Sequence, residues 1–595
     1  MIVYKAPLNE IAFALRELAD VDALSQLPGF EDASPELTAS ILEEAGRIAE
    51  KVLLPLSAKG DTDGAKMIDG KVVCTKGWDD AYKVVVEGNW IGLPATPEFG
   101  GMGLPRLLNA AVNEMWQSSN SAFLLNPMLT QGAVDALETY GSPEQKAMFL
   151  PKLISGEWAG TMDLTEDVAG SDLGALRCKA VKQGDHYLIS GQKVFITYGD
   201  QDMTDNIIHL VLARTPDAPP GVKGISLFIV PKYRINPDGS QGAFNDVRCI
   251  SLEHKMGIHG SPTATLAFGE NDGAIGYLIG EEGRGLQYMF VMMNDARLHV
   301  GIQAVGIAER AYQQALSFAR ERIQGRAIGA KTLGTIIDHP EVRRMLMEMK
   351  SQIEAMRALS YMAAGELDKA HAAPEPEARD KARRRGEFLT PIVKAWCSEL
   401  VIEIATRAIQ THGGAGYIEE TGAPQQLRDS VIASIYEGTN AIQAADLVYR
   451  KILGDKGAVV TAYLGEMKAL AAELAGGTDA TLQPIGQALA RAVATLEAAV
   501  AWLAAPGTDD PRVVAAAAMP VLYVAGYALG GFQMARAARA AKAKLAAGEG
   551  DPAFYDGKIK TARFYAEHIL PKAEAHLAAI TKGSCITMDL APDQF

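Results

Sequence analysis

The chain has 595 residues, 48% of them hydrophobic and 22% charged, a composition that supports a large folded core and excludes bulk disorder. Its formal net charge of −15 gives no sign of a general nucleic-acid-binding face, although a nucleotide-like ligand needs only a few Lys or Arg. The five cysteines, Cys74, Cys178, Cys249, Cys397 and Cys585, form no CxxC pair; this argues against a disulfide scaffold or a Cys-based metal site and fits a reducing cytoplasm.

The first third reads as helical. Glu10 and Arg16 interrupt the apolar run that a secretory signal would need. Ser34-Pro35-Glu36 is a helix start, and Ile41, Leu42, Ala45, Ile48 and Ala49 follow at helical spacing. Segments 110–117 and 132–140 carry the same period, and 94–105 is punctuated by Pro and Gly.

Near residue 160 the character changes. Segments 187–197, 206–212 and 224–230 are β-branched and aromatic and are bounded by turn residues, which predicts strands of an antiparallel sheet or small barrel. After about residue 283 the helical period returns, with Val300, Ala304, Ile307, Ala311, Ala315 and Ala319 on one stripe. The charged stretch 371–387 reads as a solvated loop and helix start. An Ala-rich unit closes the chain, its apolar stripe running from Ile485 through Leu489, Val493, Leu496 and Val500 to Leu503.

Between Arg512 and Arg536 no charged residue occurs, and the run is long enough to cross a bilayer. Its Ala and Gly content, with Pro520, Tyr523, Tyr527 and Gln533 inside, instead predicts two buried helices broken near Pro520, with no membrane span. The resulting plan is mainly α with a central β domain: helices over 1–159, a β-barrel or sheet over 160–282, a helical bundle over 283–455, and an extra helical domain over 456–595.

The common chemistry motifs are absent. No Walker lysine loop, HExxH or GxSxG is found, and ten scattered histidines have no ligand spacing, so no metal site is expected. Glu98-Phe-Gly-Gly-Met-Gly103 lacks the strand that a dinucleotide loop follows and reads as a tight turn.

Four segments in fixed order carry information. They are Met162-Asp-Leu-Thr-Glu-Asp-Val-Ala-Gly-Ser-Asp172; Gly191-Gln-Lys-Val-Phe-Ile-Thr197; Ala296-Arg-Leu-His-Val-Gly301, running on to Arg320-Glu-Arg-Ile-Gln-Gly-Arg326; and Gln410-Thr-His-Gly-Gly-Ala-Gly-Tyr417, followed by Ile435-Tyr-Glu-Gly-Thr-Asn440. Together, over residues 40–450, they resemble the acyl-CoA dehydrogenase family. The full length, with its extra C-terminal helices, resembles the long subgroup of that family, whose substrates include 3-methylthiopropanoyl-CoA and fatty acyl-CoA.

The resemblance implies an acyl-CoA dehydrogenase-like fold and an FAD cofactor. It also implies oxidation of an acyl-CoA thioester to the 2-enoyl-CoA, electrons passing to an electron-transfer flavoprotein. Glu437 would remove the α proton while flavin N5 takes the β hydride. By residue type alone Glu437 reads as an exposed helix cap; the four-segment context makes it the base. A carboxylate is weak against a carbon acid, so it must be positioned and desolvated, and the developing enolate must be stabilised. Ala296 occupies the position where some family members carry a rival base, and it cannot abstract a proton.

By the same resemblance Met162, Leu164 and Thr165 would face the flavin, with Phe195 and Thr197 beside it. Phe195 stands where the family usually has Trp, which keeps the packing and loses an indole donor. Arg322 and Gln324 would reach the FAD pyrophosphate of a neighbouring subunit, although Gln324-Gly325 is one residue short of the usual pattern. Gln410 and Gly414 would take the adenine end, and Thr439 and Asn440 would touch the flavin. Ser171, Asn294, Arg297 and Gly438 would meet the acyl-CoA. A homodimer or dimer of dimers follows from the contact between subunits. Medium- and long-chain acyl groups remain alternatives to 3-methylthiopropanoyl. A flavin-bearing regulatory protein that binds nucleic acid is a further alternative, but it would need a basic C-terminal domain, and residues 461–595 hold 12 Lys+Arg against 13 Asp+Glu.

Overall fold

The computed structural model describes every residue except 1, 2, 506, 508 and 509. The chain forms two compact units. One comprises residues up to Glu44, Arg106–Ser118 and Val300–Phe595; the other comprises Ala45–Pro105 and Ser119–His299.

The second unit holds the β domain. The strands of its eight-stranded sheet are β1 (Trp158–Asp163), β2 (Lys179–Gln183), β3 (His186–Thr197), β4 (Asn206–Arg214), β5 (Ile225–Pro231), β6 (Val247–Leu252), β7 (Thr263–Phe268) and β8 (Ala274–Leu278). They run in the order β6-β7-β3-β8-β5-β4-β1. Strand β2 pairs with β3 along its length and meets β4 at Lys179–Arg214, which closes a ring of strands. Most pairs are antiparallel, as the β-branched runs predict. The exceptions are β1 on β4 and the β2–β4 bridge, both parallel. Ile189, Val211, Phe228, Val230, Leu266 and Phe268 fill the interior.

The sequence divides 110–117 from 132–140, but one helix, α1 (Arg106–Tyr140), covers both, with non-helical dihedrals at Asn120. Asn120 Oδ1 accepts from the Phe123 amide, so the side chain restarts the helix as a cap does. The long helix α2 (Gly285–Glu321) begins in this unit.

In the first unit α3 (Pro340–Ala372) and α4 (Pro376–His412) pack together, and α5 (Asn440–Ala445) lies on α4. The appended helices include α6 (Ala458–Gly476), α7 (Gln483–Ala504) and α8 (Pro511–Ala547). The expected break at Pro520 does not occur: α8 runs through it for 37 residues. A proline costs its helix one hydrogen bond, and burial of α8 from Val513 to Ala541 against its neighbours outweighs that loss. This helix is long and apolar enough to span a membrane, yet 72% of its most apolar window is buried inside the protein, as in a core helix. Gly526 and Gly530 let it approach Trp396 of α4; a Cβ on Gly526 would stand 2.4 Å from the indole.

A buried polar cluster ties this unit together. Arg357 reaches Glu114 at 2.6 Å and Glu309 at 2.8 Å, and the Tyr361 hydroxyl donates to Glu114. All four are nearly inaccessible to solvent, so each charge depends on its partner for solvation.

Candidate active site

Strand β1 alternates its faces, as strands do. Thr161 and Asp163 turn inward to His209, at 2.7 and 3.2 Å. Met162 lies on the opposite face, half-buried, and Leu164 and Thr165 continue the segment.

Strand β3 is bulged beside this segment. Ile196 pairs with Ala264 and Lys193 with Leu266, so Val194 and Phe195 stand opposite the single residue Thr265. The Val194 amide, displaced from the ladder, donates to the Thr165 carbonyl at 2.9 Å. Phe195 takes a left-handed φ of 62° and is 62% exposed. An exposed aromatic ring on a strained bulge is a binding feature more than a packing one. Met162, Leu164, Thr165, Phe195 and Thr197 are thus drawn to one edge of the β domain. Phe195 protrudes there, Met162, Thr165 and Thr197 are half-buried, and Leu164 is buried.

Beneath this edge lies Lys193, fully buried. Its ammonium donates to the Leu164 carbonyl at 2.9 Å and to Glu166 at 2.8 Å. Glu166 also accepts from the Arg177 and Cys178 amides. Burial pushes the Glu166 carboxyl up, but Lys193 and these hydrogen bonds outweigh it and hold the group below its ordinary range.

The residues expected to meet CoA are more scattered. Ser171 is exposed, and its neighbour Asp172 caps the following turn by accepting from the Gly174 amide. Asn294 and Arg297 sit one turn apart on α2, Arg297 Nη1 donating to Asn294 Oδ1 at 3.3 Å. Ala296 is buried between them.

Within the first unit Glu437 occupies a sharp turn ahead of α5. Its φ is 56° and that of Gly438 is 85°. Two consecutive left-handed residues reverse the chain abruptly; the first carries a side chain and is therefore strained, which singles out a functional position. Anchors hold both sides. Before the turn, the Tyr436 hydroxyl donates to Gln303 of α2. Burial pushes the Tyr436 phenol up, with the Glu437 charge adding, so this donor stays protonated. After the turn, Thr439 caps α5 by accepting from the Ile442 amide.

Asn440 differs from expectation. It is only 4% exposed. Its oxygen accepts from Lys394 at 2.9 Å and Ser398 at 3.1 Å, and its nitrogen donates to Glu399 at 2.7 Å and the Ala395 carbonyl at 3.4 Å. An amide offers two donors and two acceptor sites, so this side chain has nothing left for a cofactor. It acts on the site by fixing the turn.

Further along α4 lies the second group. From Glu399 to Gln410 is 11 residues, about 16 Å of helix. Gln410 is exposed and accepts from Arg407 at 2.7 Å. Gly413 and Gly414 follow, both exposed, and an added Cβ on either would meet nothing within 4 Å. Their backbone is therefore open to a ligand. His412 packs against Phe318, the two rings tilted with centroids 4.7 Å apart, which sets this turn beside the end of α2. There Arg322 and Gln324 begin a loop that folds back on itself through an Ile323–Thr335 bridge. Both are exposed, and Ile323, Ile328 and Leu333 of the loop are 61%, 93% and 66% exposed.

The sequence reading missed Lys193, Lys394, Tyr436 and Gln303. A signal existed for the lysines: Lys394 interrupts an apolar run between Pro-Ile-Val and Ala-Trp-Cys, and Lys193 directly precedes Val-Phe-Ile. A lone charge at a core position needs a partner.

Comparison with known proteins identifies the family. The acyl-CoA dehydrogenase N-terminal, middle and C-terminal domain families match residues 36–157, 161–270 and 283–453, and the acetyl-CoA dehydrogenase C-terminal-like family matches 463–591. The chain belongs to the acyl-CoA dehydrogenase family; it is an FAD-dependent oxidoreductase that dehydrogenates acyl-CoA. A 3-methylmercaptopropionyl-CoA dehydrogenase of Ruegeria pomeroyi is 46% identical over 583 residues, 98% of each chain. A butyryl-CoA dehydrogenase of Syntrophomonas wolfei is 37% identical over 618 residues, covering 100% of this chain and 99% of its own. The fold matches that of a Bacillus anthracis acyl-CoA dehydrogenase complexed with FAD, with a TM-score of 0.74 at 21% identity over 100% and 94% of the two chains.

Proposed function

We propose that this enzyme oxidises a short acyl-CoA, 3-methylthiopropanoyl-CoA first among them, with Glu437 as the base. The observation that carries the base assignment is the strained turn. An acidic residue is held at a left-handed φ of 56° between two independent anchors, with Gly438 giving backbone access on one side. Strain persists only where the surroundings over-determine it.

When bound, FAD supplies the acceptor for the hydride that leaves the β carbon. Met162, Leu164, Thr165, Phe195 and Thr197 would hold its ring system. Gln410, Gly414, Arg322 and Gln324 would hold the dinucleotide end, and Thr439 would stand beside the Glu437 turn. Ser171, Asn294, Arg297 and Gly438 would meet the acyl-CoA. The Glu437 carboxylate accepts the proton from the α carbon, and the C–H electron pair moves toward the thioester carbonyl. The fixed turn holds the carboxylate at the reacting carbon, an effect that supplies much of the catalysis when the base is intrinsically weak.

The short acyl group is supported by the 46% identity, across nearly the whole of both chains, with the Ruegeria pomeroyi protein. Medium- and long-chain acyl groups are the competing reading. An electron-transfer flavoprotein in the cytoplasm is the proposed acceptor. A homodimer is supported by the exposed apolar loop with Ile323, Ile328 and Leu333, which exceeds what a lone surface residue would present. The four-part division at 159, 282 and 455 is retained as the domain plan.

Anaerobic titration of the purified flavoprotein with a panel of acyl-CoA thioesters tests the substrate. Bleaching of the flavin by 3-methylthiopropanoyl-CoA and butyryl-CoA at lower concentration than by octanoyl- or palmitoyl-CoA is the expected result. The reverse order would overturn the short-chain assignment.

A further inference from the structure

The bulge in β3 carries a left-handed non-glycine residue, and its own ladder does not hold it. Val194 has given up its place in the pairing with β7, and Phe195 is left-handed. What holds it is the segment after β1. The Val194 amide bonds to the Thr165 carbonyl, the Lys193 ammonium bonds to the Leu164 carbonyl, and Lys193 pairs with Glu166. Two consecutive residues of β3 are thus pinned to three consecutive residues 164–166.

The geometry points to Lys193 and Glu166 as positioning residues that set the spacing between the Leu164–Thr165 segment and the Phe195–Thr197 segment, and so the fit of FAD. This rests on the proposal that these two segments bracket the flavin ring. Both members of the pair are buried, Lys193 completely and Glu166 to 4% side-chain exposure. An ion pair in such a place is weak support for stability, since an apolar pair of similar size could fill the space as well. It does what an apolar pair could not. The ammonium gives one bond to the carboxylate and one to a backbone carbonyl next to Thr165, so it fixes both direction and distance. The carboxylate in turn holds the Arg177 and Cys178 amides, which ties down the far end of the loop that carries Ser171.

The test is FAD affinity and the visible circular dichroism of the bound flavin in the full-length K193M/E166Q variant. Removing both charges leaves no lone buried ion, and the carboxamide oxygen that replaces the Glu166 carboxylate can still accept from one of the two loop amides, which bond to different oxygens of the carboxylate. The expected result is an apoprotein that melts close to the wild type, an FAD dissociation constant raised about tenfold and an altered flavin circular dichroism band. A purely structural pair would lower the melting point and leave affinity and spectrum alone. An affinity within about twofold of wild type with an unchanged band would overturn the inference.

Thr165→Ala, run in parallel, separates the two possible failures. If Thr165→Ala changes the flavin band and K193M/E166Q does not, the positioning role is wrong and the flavin edge stands. If neither variant changes it, the flavin edge itself is wrong and the positioning role falls with it. Should the double variant fail to fold, Glu166→Gln alone decides by the same band and affinity, with about a threefold weakening expected because Lys193 keeps its bond to Leu164.

Discussion

Replacing Asn440 with Ala would cut the anchor on one side of the Glu437 turn. The amide makes four bonds, and the two shortest, at 2.7 and 2.9 Å, go to the charged groups Glu399 and Lys394. Glu399 is half-buried and regains water, whereas Lys394 is fully buried and loses an acceptor where water does not reach. Hydrogen bonds to charged groups contribute about 1.5–3 kcal/mol, and a buried donor deprived of one costs about as much. With partial rehydration of Glu399, the loss of stability comes to about 3 kcal/mol. The turn and the start of α5 then lose their hold on α4. A non-glycine residue in the left-handed region costs about 1–2 kcal/mol, so Glu437 relaxes in a sizeable fraction of molecules. The rate of flavin reduction is expected to fall about tenfold, equivalent to about 1.4 kcal/mol. KM should change less, because Asn440 has no free group with which to touch substrate. Guanidinium unfolding and anaerobic stopped-flow reduction measure the two effects. A folded Asn440→Ala variant with wild-type stability and wild-type reduction rate would refute the reasoning.

Two further outcomes follow from other parts of the chain. Burial alone would push the Glu10 carboxyl up, but Lys558 and then Lys350 outweigh it and hold it down, from an ordinary 4.5 to about 2. A lowered carboxyl contributes stability above its ordinary value, and that contribution disappears as pH falls through the folded value. Unfolding free energy should therefore drop by about 3 kcal/mol between pH 4.5 and pH 2 on this account. Glu10→Gln should lose that part of the acid slope, and parallel slopes would contradict the assignment. In the loop after α2, Ile328→Asp with Leu333→Asp should lower the mass seen by sedimentation and weaken FAD retention together; an unchanged oligomer would remove this loop from the interface.

Much of the fold could be read from residue pattern. The β-branched runs at 187–197, 206–212 and 224–230 became β3, β4 and β5 because β-branched and aromatic content between turn residues is a local property. The parallel placement of β1 on β4 could not be read, since it depends on a pairing some 48 residues apart, Thr161 with His209. Pro520 misled in the opposite direction: local propensity favours a break, and burial of the whole helix overrides it.

At the site, the motif residues were legible and their supports were not. Phe195 could be named from the sequence, yet its exposure arises from the bulge, which is set by the Val194–Thr165 bond between distant segments. The family resemblance implies a flavin contact for Asn440. Its side chain turns instead into α4, where Lys394 and Glu399 wait for it. Adjacent residues in a sharp turn point in different directions, and only the backbone path tells which faces the ligand.

Glu437→Gln decides whether Glu437 is the base. The amide keeps the shape and removes the proton acceptor. The expected result is a folded, yellow protein that binds acyl-CoA and whose flavin is reduced by it about 10⁴-fold more slowly under anaerobic conditions, the upper end of the range for a positioned acid–base group. Reduction at a rate near that of the wild type would contradict it.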